Sequence, residues 1–146
     1  MKVKPPFFRQ ETPHSCVPAC LRMVFASHGV NLREDEIRAA CDSTSFGNGA
    51  LNAVDAARSF GFPRSGKHTL SFDELADLIE DGKPPIVFVS LKPIDGVRET
   101  HAVVVIALSD ASVTLLDPMT GERTIAAQVF RAAWASRYNL TIVVER

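Results

Sequence analysis

The chain has 146 residues, 46% of them hydrophobic and 23% charged, with 16 Lys and Arg against 17 Asp and Glu for a net charge of −1. These values describe a single domain over residues 1–146, long enough to bury ~70% of its unfolded surface without staples. They exclude a nucleic-acid binder, which carries a basic excess, and a membrane span, because no apolar run nears the ~20 residues a bilayer requires.

The start, Met1-Lys-Val-Lys-Pro-Pro6, lacks the apolar run of a secretory signal, so the expected compartment is the cytoplasm. Pro5 and Pro6 keep the first ten residues extended or irregular. A helix is expected from about Ser15 to Gly29: Ser15 can cap it, Pro18 fits its first turn, and Val17, Leu21, Val24 and Phe25 recur at helical spacing. A second helix is expected over Leu32–Cys41, capped by Asn31 with Glu34 at the third position. Residues 43–49 read as a loop. A third helix is expected over Ala50–Phe60, stopped by Gly61. The loop that carries His68 follows, and then a fourth helix opened by the capping box Ser71-Phe-Asp-Glu74.

After Pro84-Pro85 the period changes. Ile86–Leu91, Ala102–Leu108, Val113–Leu116, Arg123–Ile125 and Leu140–Val144 read as strands, with a short helix over Ala126–Arg137 carrying Phe130 and Trp134 as core residues. Helices gather in the first half and strands, joined by short loops, in the second. That is an α+β layout with helices packed on an antiparallel sheet.

The three cysteines, Cys16, Cys20 and Cys41, are an odd count, so at least one thiol is free of any internal disulfide. Cys16 stands at the expected N-terminus of the first helix, where unsatisfied N–H groups and the helix dipole favour a thiolate. By itself the position also suits a small buried hydrophobe. A base must come from His14, His28, His68 or His101. His101 opens an apolar strand, which can hold an imidazole at the end of a rigid element. Asp117 ends the next strand and can orient that base, although Asp-Pro also begins many turns.

Whether His101 and Asp117 meet depends on hairpin register. If Leu108 pairs with Ser112, Val103 faces Asp117, and His101 lies on the same face as its diagonal neighbour. If Leu108 pairs with Val113, the two side chains fall on opposite faces. The pairing of His101 with Asp117 therefore demands an odd loop or a bulge. Gln10, six residues before Cys16, can donate its carboxamide N–H to an oxyanion. Gln, Cys, His and Asp in that order fill the roles of thiol acyl transfer. Two thiols at i and i+4, Cys16 and Cys20, could instead begin a zinc site or a disulfide, but no downstream Cys/His pair has finger spacing.

On these residues the chain resembles the bacteriocin-processing cysteine peptidases, the double-glycine leader peptidases found as N-terminal domains of peptide-exporting ABC transporters. The resemblance runs through Gln10-Glu-Thr-Pro-His-Ser-Cys16-Val-Pro-Ala-Cys20-Leu-Arg-Met23, Gly47–Gly49, Ala56-Ala-Arg-Ser-Phe-Gly61, Gly82-Lys-Pro-Pro-Ile-Val87, His101-Ala-Val-Val-Val105 and Asp117-Pro118. Where the family carries Gly after the nucleophile, this chain has Val17-Pro18. The resemblance implies a papain-like fold, with Cys16 as nucleophile, His101 as general base and acid, Asp117 as orienter, Gln10 as oxyanion donor and Cys20 as structural. It implies a peptide or protein substrate, a transporter or precursor-peptide partner, and no cofactor or metal. The alternatives are a leader-peptide-binding domain that does not cut, and another thiol acyl transfer or toxin-like hydrolase on the same fold.

Overall fold

The computed structural model describes residues 4–41 and 49–146, so the expected loop over residues 43–49 lies, but for Gly49, outside the described residues. Among those described, six helices and six strands follow in the order α1 (Cys16–Ser27), α2 (Glu34–Ala40), α3 (Ala50–Ser59), β1 (Gly66–Thr69), α4 (Phe72–Glu80), β2 (Ile86–Ser90), α5 (Lys92–Asp95), β3 (Thr100–Leu108), β4 (Ser112–Asp117), β5 (Gly121–Ala126), α6 (Ala127–Ala135) and β6 (Leu140–Val143). The strands form one sheet in the order β1-β6-β2-β3-β4-β5, every pair antiparallel.

The central strands are buried on both faces, and their side chains divide by parity between two apolar layers. Ile86, Phe88, Ala102, Val104 and Leu116 pack with α1, α2 and α3 around Phe25, whose ring stacks on Phe62 at 5.0 Å. Val87, Val89, Val103, Val105 and Leu115 pack with α4 and α6 around Phe130 and Trp134. Phe130 and Trp134 are 0% and 1% exposed, as expected of core residues, and truncating either costs ~3–5 kcal/mol. Cys20 and Cys41 fill the first layer. The acidic residues of α4 (Asp73, Glu74, Asp77 and Glu80) are exposed, as a solvated helix face should be.

Several expectations need correction. Ser15 stands at the N-cap of α1, but its hydroxyl makes no cap bond to the helix and turns to Thr12 instead, donating to its carbonyl at 3.1 Å. The second helix begins at Glu34 with Arg33 as N-cap, two residues later than expected, and it is Glu36 that reaches back to the Arg33 N–H at 3.1 Å. His68 is not in a loop. It belongs to β1, an exposed edge strand held by its ladder to β6 and carrying no apolar alternation by which to be found. The four-residue helix α5 was likewise not expected; it occupies part of the connection between β2 and β3.

The β3–β4 hairpin decides the site. Leu108 pairs with Val113 and Ala107 with Thr114, the register that by itself separates His101 from Asp117. A bulge at Ile106 then shifts the ladder, so that Val105 pairs with Leu115 and Val104 with Leu116. Continuing this register sets Val103 opposite Asp117. The parity change is visible in the packing: Val103 and Val105 face the second layer, and beyond the bulge Leu108, not Ala107, does so.

Candidate active site

Four elements converge at one end of the sheet: the N-terminus of α1, the start of β3, the end of β4 and the extended segment before α1. His101 Nε2 and Asp117 Oδ1 lie 2.7 Å apart, with the residues 4% and 3% exposed. Asp117 Oδ1 also accepts from the Met119 N–H at 2.9 Å, which fixes the carboxylate in the turn that follows. Because Nε2 is committed to Asp117, Nδ1 is the ring nitrogen left for Cys16, which adjoins the ring.

Burial opposes a charged imidazole here. The hydrogen bond to Asp117, its negative charge and the adjoining Cys16 outweigh it, and the His101 pKa is pushed up to about 9. Burial also opposes the Asp117 carboxylate, but its bond to His101, that ring's charge and the Met119 N–H together hold its pKa below the ordinary value. The arrangement favours an imidazolium braced by a carboxylate beside a sulfur. Cys20, one turn along α1, is different in kind: burial first, then the neighbouring Cys16 and Asp117, drive its thiol upward and keep it protonated.

Cys16 is partly exposed, whereas Cys20 and Cys41 are buried. It is the first residue of α1, and Pro18 in the first turn has no N–H to leave unsatisfied. The first N–H groups of α1, those of Cys16 and Val17, lack helical acceptors and are available to an anion. Val17 is 1% exposed and packed in the first core layer, so its branch is directed inward.

Gln10 is half-buried. Its backbone N–H donates to Pro118 O at 2.8 Å, which ties it to the residue next to Asp117. Its Nε2 donates one hydrogen to Thr12 O at 2.9 Å, leaving a second, while its Oε1 is buried with no partner among the described residues. The N-terminal segment follows the β4–β5 turn: Arg9 donates to Met119 O, and Lys4 pairs with Glu122 at 2.9 Å. The other histidines stand elsewhere. His14 and His68 are exposed, and the His28 ring lies 5.4 Å from that of Phe62.

Two residues near this centre were not singled out from the sequence. Arg123 makes a two-pronged ion pair with Asp95 (3.1 and 2.9 Å) and places Nη1 3.7 Å from Asp117 Oδ2. No pattern in the sequence marked it. Glu34 is 0% exposed and accepts the Glu11 N–H at 3.0 Å. Its signal was present: Glu34, Ile37 and Cys41 lie at i, i+3 and i+7, so a carboxylate occupies the apolar stripe of α2.

A family model described as the Peptidase C39 family matches residues 4–145. An uncharacterized protein of Methanothermobacter thermautotrophicus is 30% identical over 137 residues, 94% of this chain and 86% of that one. A second, from Methanothermobacter marburgensis, is 28% identical over 138 residues, 94% and 87% of the two chains. Among solved structures, the peptidase domain of Streptococcus ComA, a bi-functional ABC transporter of a quorum-sensing pathway, superposes with a TM-score of 0.80 at 24% identity, covering 99% of each chain. A double-glycine-motif protease from an AMS/PCAT transporter, in complex with the leader peptide, gives 0.79 at 21% identity, covering 97% of this chain and 91% of that one. These likenesses identify the fold as papain-like.

Proposed function

The chain belongs to the Peptidase C39 family, and from that premise we propose that it is a leader-peptide-processing cysteine peptidase with Cys16 as nucleophile, His101 as general acid and base, Asp117 as orienter and Gln10 as oxyanion donor. The observation that carries this reading is the buried 2.7 Å contact of His101 with Asp117 beside a partly exposed thiol at the start of α1.

The Cys16 sulfur attacks the carbonyl carbon of the scissile peptide. The developing oxyanion is received by a first-turn N–H of α1 and the free hydrogen of the Gln10 carboxamide. Protonated His101 gives its proton to the leaving amine, and an acyl-enzyme remains. Neutral His101 then takes a proton from water, hydroxide adds to the thioester, and the tetrahedral adduct expels the Cys16 sulfur. Asp117 accepts from Nε2 throughout, which keeps Nδ1 directed at the sulfur.

The substrate class follows the family: a precursor peptide whose leader ends in two glycines, delivered by a transporter or bound directly. A cysteine nucleophile that must stay reduced fits a reducing compartment, the cytoplasm. Among the described residues no helix is long and apolar enough to cross a membrane.

The test is a set of synthetic precursor peptides with Gly-Gly before the cut, incubated with wild type and Cys16→Ala and read by mass spectrometry. Cleavage by wild type alone is expected. Binding of the peptides without cleavage by wild type would replace the peptidase reading with that of a leader-binding domain. Equal cleavage by both proteins would end the Cys16 assignment.

A further inference from the structure

Glu34 and Asp117 are the two buried carboxylates among the described residues, and the mechanism above uses only Asp117. Glu34 opens α2, yet its side chain turns inward beneath the segment that leads to Cys16. Its Oε1 accepts the Glu11 N–H at 3.0 Å. Arg38, one turn along α2, brings Nε to 3.4 Å from Oε2. Glu11 reaches over from the solvent side, with its carboxylate 3.6 Å from Arg38 and 3.6 Å from Arg22.

The bonded residue is the telling one. Glu11 follows Gln10, so a buried side chain holds the segment directly after the oxyanion donor, while the Ser15 hydroxyl, next to Cys16, closes its other end on the Thr12 carbonyl at 3.1 Å. Gln10 is pinned from the other side as well, by its own N–H on Pro118 O at 2.8 Å. Two successive amides, Gln10 and Glu11, are thus anchored to different elements: one to the turn after Asp117, the other to α2. The peptide between them is fixed, and with it the origin of the Gln10 side chain.

Stability alone does not account for such a group. A buried ion pair often contributes no more than an apolar replacement of the same volume, because desolvation cancels the attraction. What an apolar side chain cannot supply is an acceptor for the Glu11 N–H, and without it the segment loses its anchor on α2. The return on the buried charge is geometry.

We propose that Glu34 is a positioning residue that acts through Gln10, holding the segment at Glu11 so that the carboxamide is preset over Cys16. This rests on the thiol mechanism above and adds a residue to it.

Two reactions of Cys16 separate its parts. Alkylation by iodoacetamide needs a reactive sulfur and no oxyanion site. Acylation by p-nitrophenyl acetate, followed as nitrophenolate release, passes through an oxyanion. Glu34→Leu is expected to slow acylation about tenfold while alkylation stays within about twofold. Glu34→Gln, which keeps an oxygen for the Glu11 N–H, is expected to recover acylation to within about threefold of wild type. In a Gln10→Ala background, Glu34→Leu is expected to slow acylation less than about twofold further, because the two residues act in series. Glu34→Ala replaces the leucine variant if thermal melting shows that leucine prevents folding.

Equal loss in both reactions would overturn the proposal and leave Glu34 a structural residue. A full tenfold loss on top of Gln10→Ala would overturn it too, since Glu34 would then act independently of the carboxamide. If Cys16→Ala releases nitrophenolate as fast as wild type, the thiol mechanism itself fails. With that control silent, the other outcomes bear on Glu34 alone.

Discussion

The two halves of the site are held by different means. His101 and Asp117 are strand residues, 4% and 3% exposed, and backbone pairing on both sides of a single bulge brings them together. Cys16 and Gln10 belong to a helix start and an extended segment, both partly exposed, and individual hydrogen bonds from Pro118, Thr12 and Glu34 hold that segment in place. A ladder fixes geometry collectively, so no single side chain outside the pair is critical to it. A segment held by a few bonds depends on each of them. The strand half should therefore tolerate side-chain changes and fail on register changes, whereas the segment half should fail bond by bond.

The largest expected effect is common to both halves. Cys16→Ala should reduce peptide hydrolysis by a factor on the order of 10⁴ or more, measured by product release. Next comes a backbone change. Inserting one alanine between Val103 and Val104 moves His101 one position along the ladder and turns it to the face opposite Asp117. Activity should fall on the order of 10³-fold even if circular dichroism shows the sheet retained. A folded insertion variant with near-normal turnover would break the register account.

Gln10→Ala probes the other half. It should lower turnover ~10²–10³-fold and leave alkylation of Cys16 almost unchanged, as expected for loss of an oxyanion donor. A parallel drop in alkylation would make Gln10 a structural residue.

The strand half also has a signature in stability. The folded His101 pKa, about 9, lies above its ordinary 6.5. The stabilisation it gives is complete below pH 6.5 and is lost as the pH rises through 9. Asp117 has the opposite sign: its contribution is present above its ordinary 3.8 and is lost as the pH falls through its lowered folded value. Denaturant melts between pH 6 and 10 should show the alkaline loss, of a few kcal/mol at most, in wild type and not in His101→Ala. A wild-type slope that survives the substitution would place the titrating group elsewhere.

The smallest effect concerns Arg123. Its side chain is 26% exposed, and its 3.7 Å approach to Asp117 is screened by solvent. Arg123→Gln should cost less than about fivefold in turnover. A loss of 10²-fold would show that the strand half, too, depends on one side-chain contact.

Much of the chain was legible because local signals agreed. The Ser71-to-Glu74 capping box opens α4 as read: the Glu74 N–H donates to Ser71 Oγ at 3.1 Å and the Ser71 N–H to Glu74 Oε1 at 2.9 Å. The apolar run Ile86–Val89, β-branched and aromatic, is a strand. Edge strand β1 was not legible, because Gly66-Lys-His-Thr69 carries no apolar pattern and gains its shape from β6. Glu34 was read as a capping residue because both roles begin with an acidic side chain in a first turn. Only the segment packed over α2 distinguishes them.

By itself the sequence determined which residue types could meet: a thiol at a helix start, an imidazole at a strand start, a carboxylate at the next strand's end and a carboxamide upstream. It also stated the condition for the meeting, an odd loop or a bulge between β3 and β4. It could not choose between them. Val103–Ile106 is apolar at every position and the strand is buried on both faces, so hydrophobic alternation carries no register. That choice fell to the tertiary structure. Two core layers press on the sheet at once, and only the shift at Ile106 lets Val103 and Val105 face the helices α4 and α6 together with Leu108.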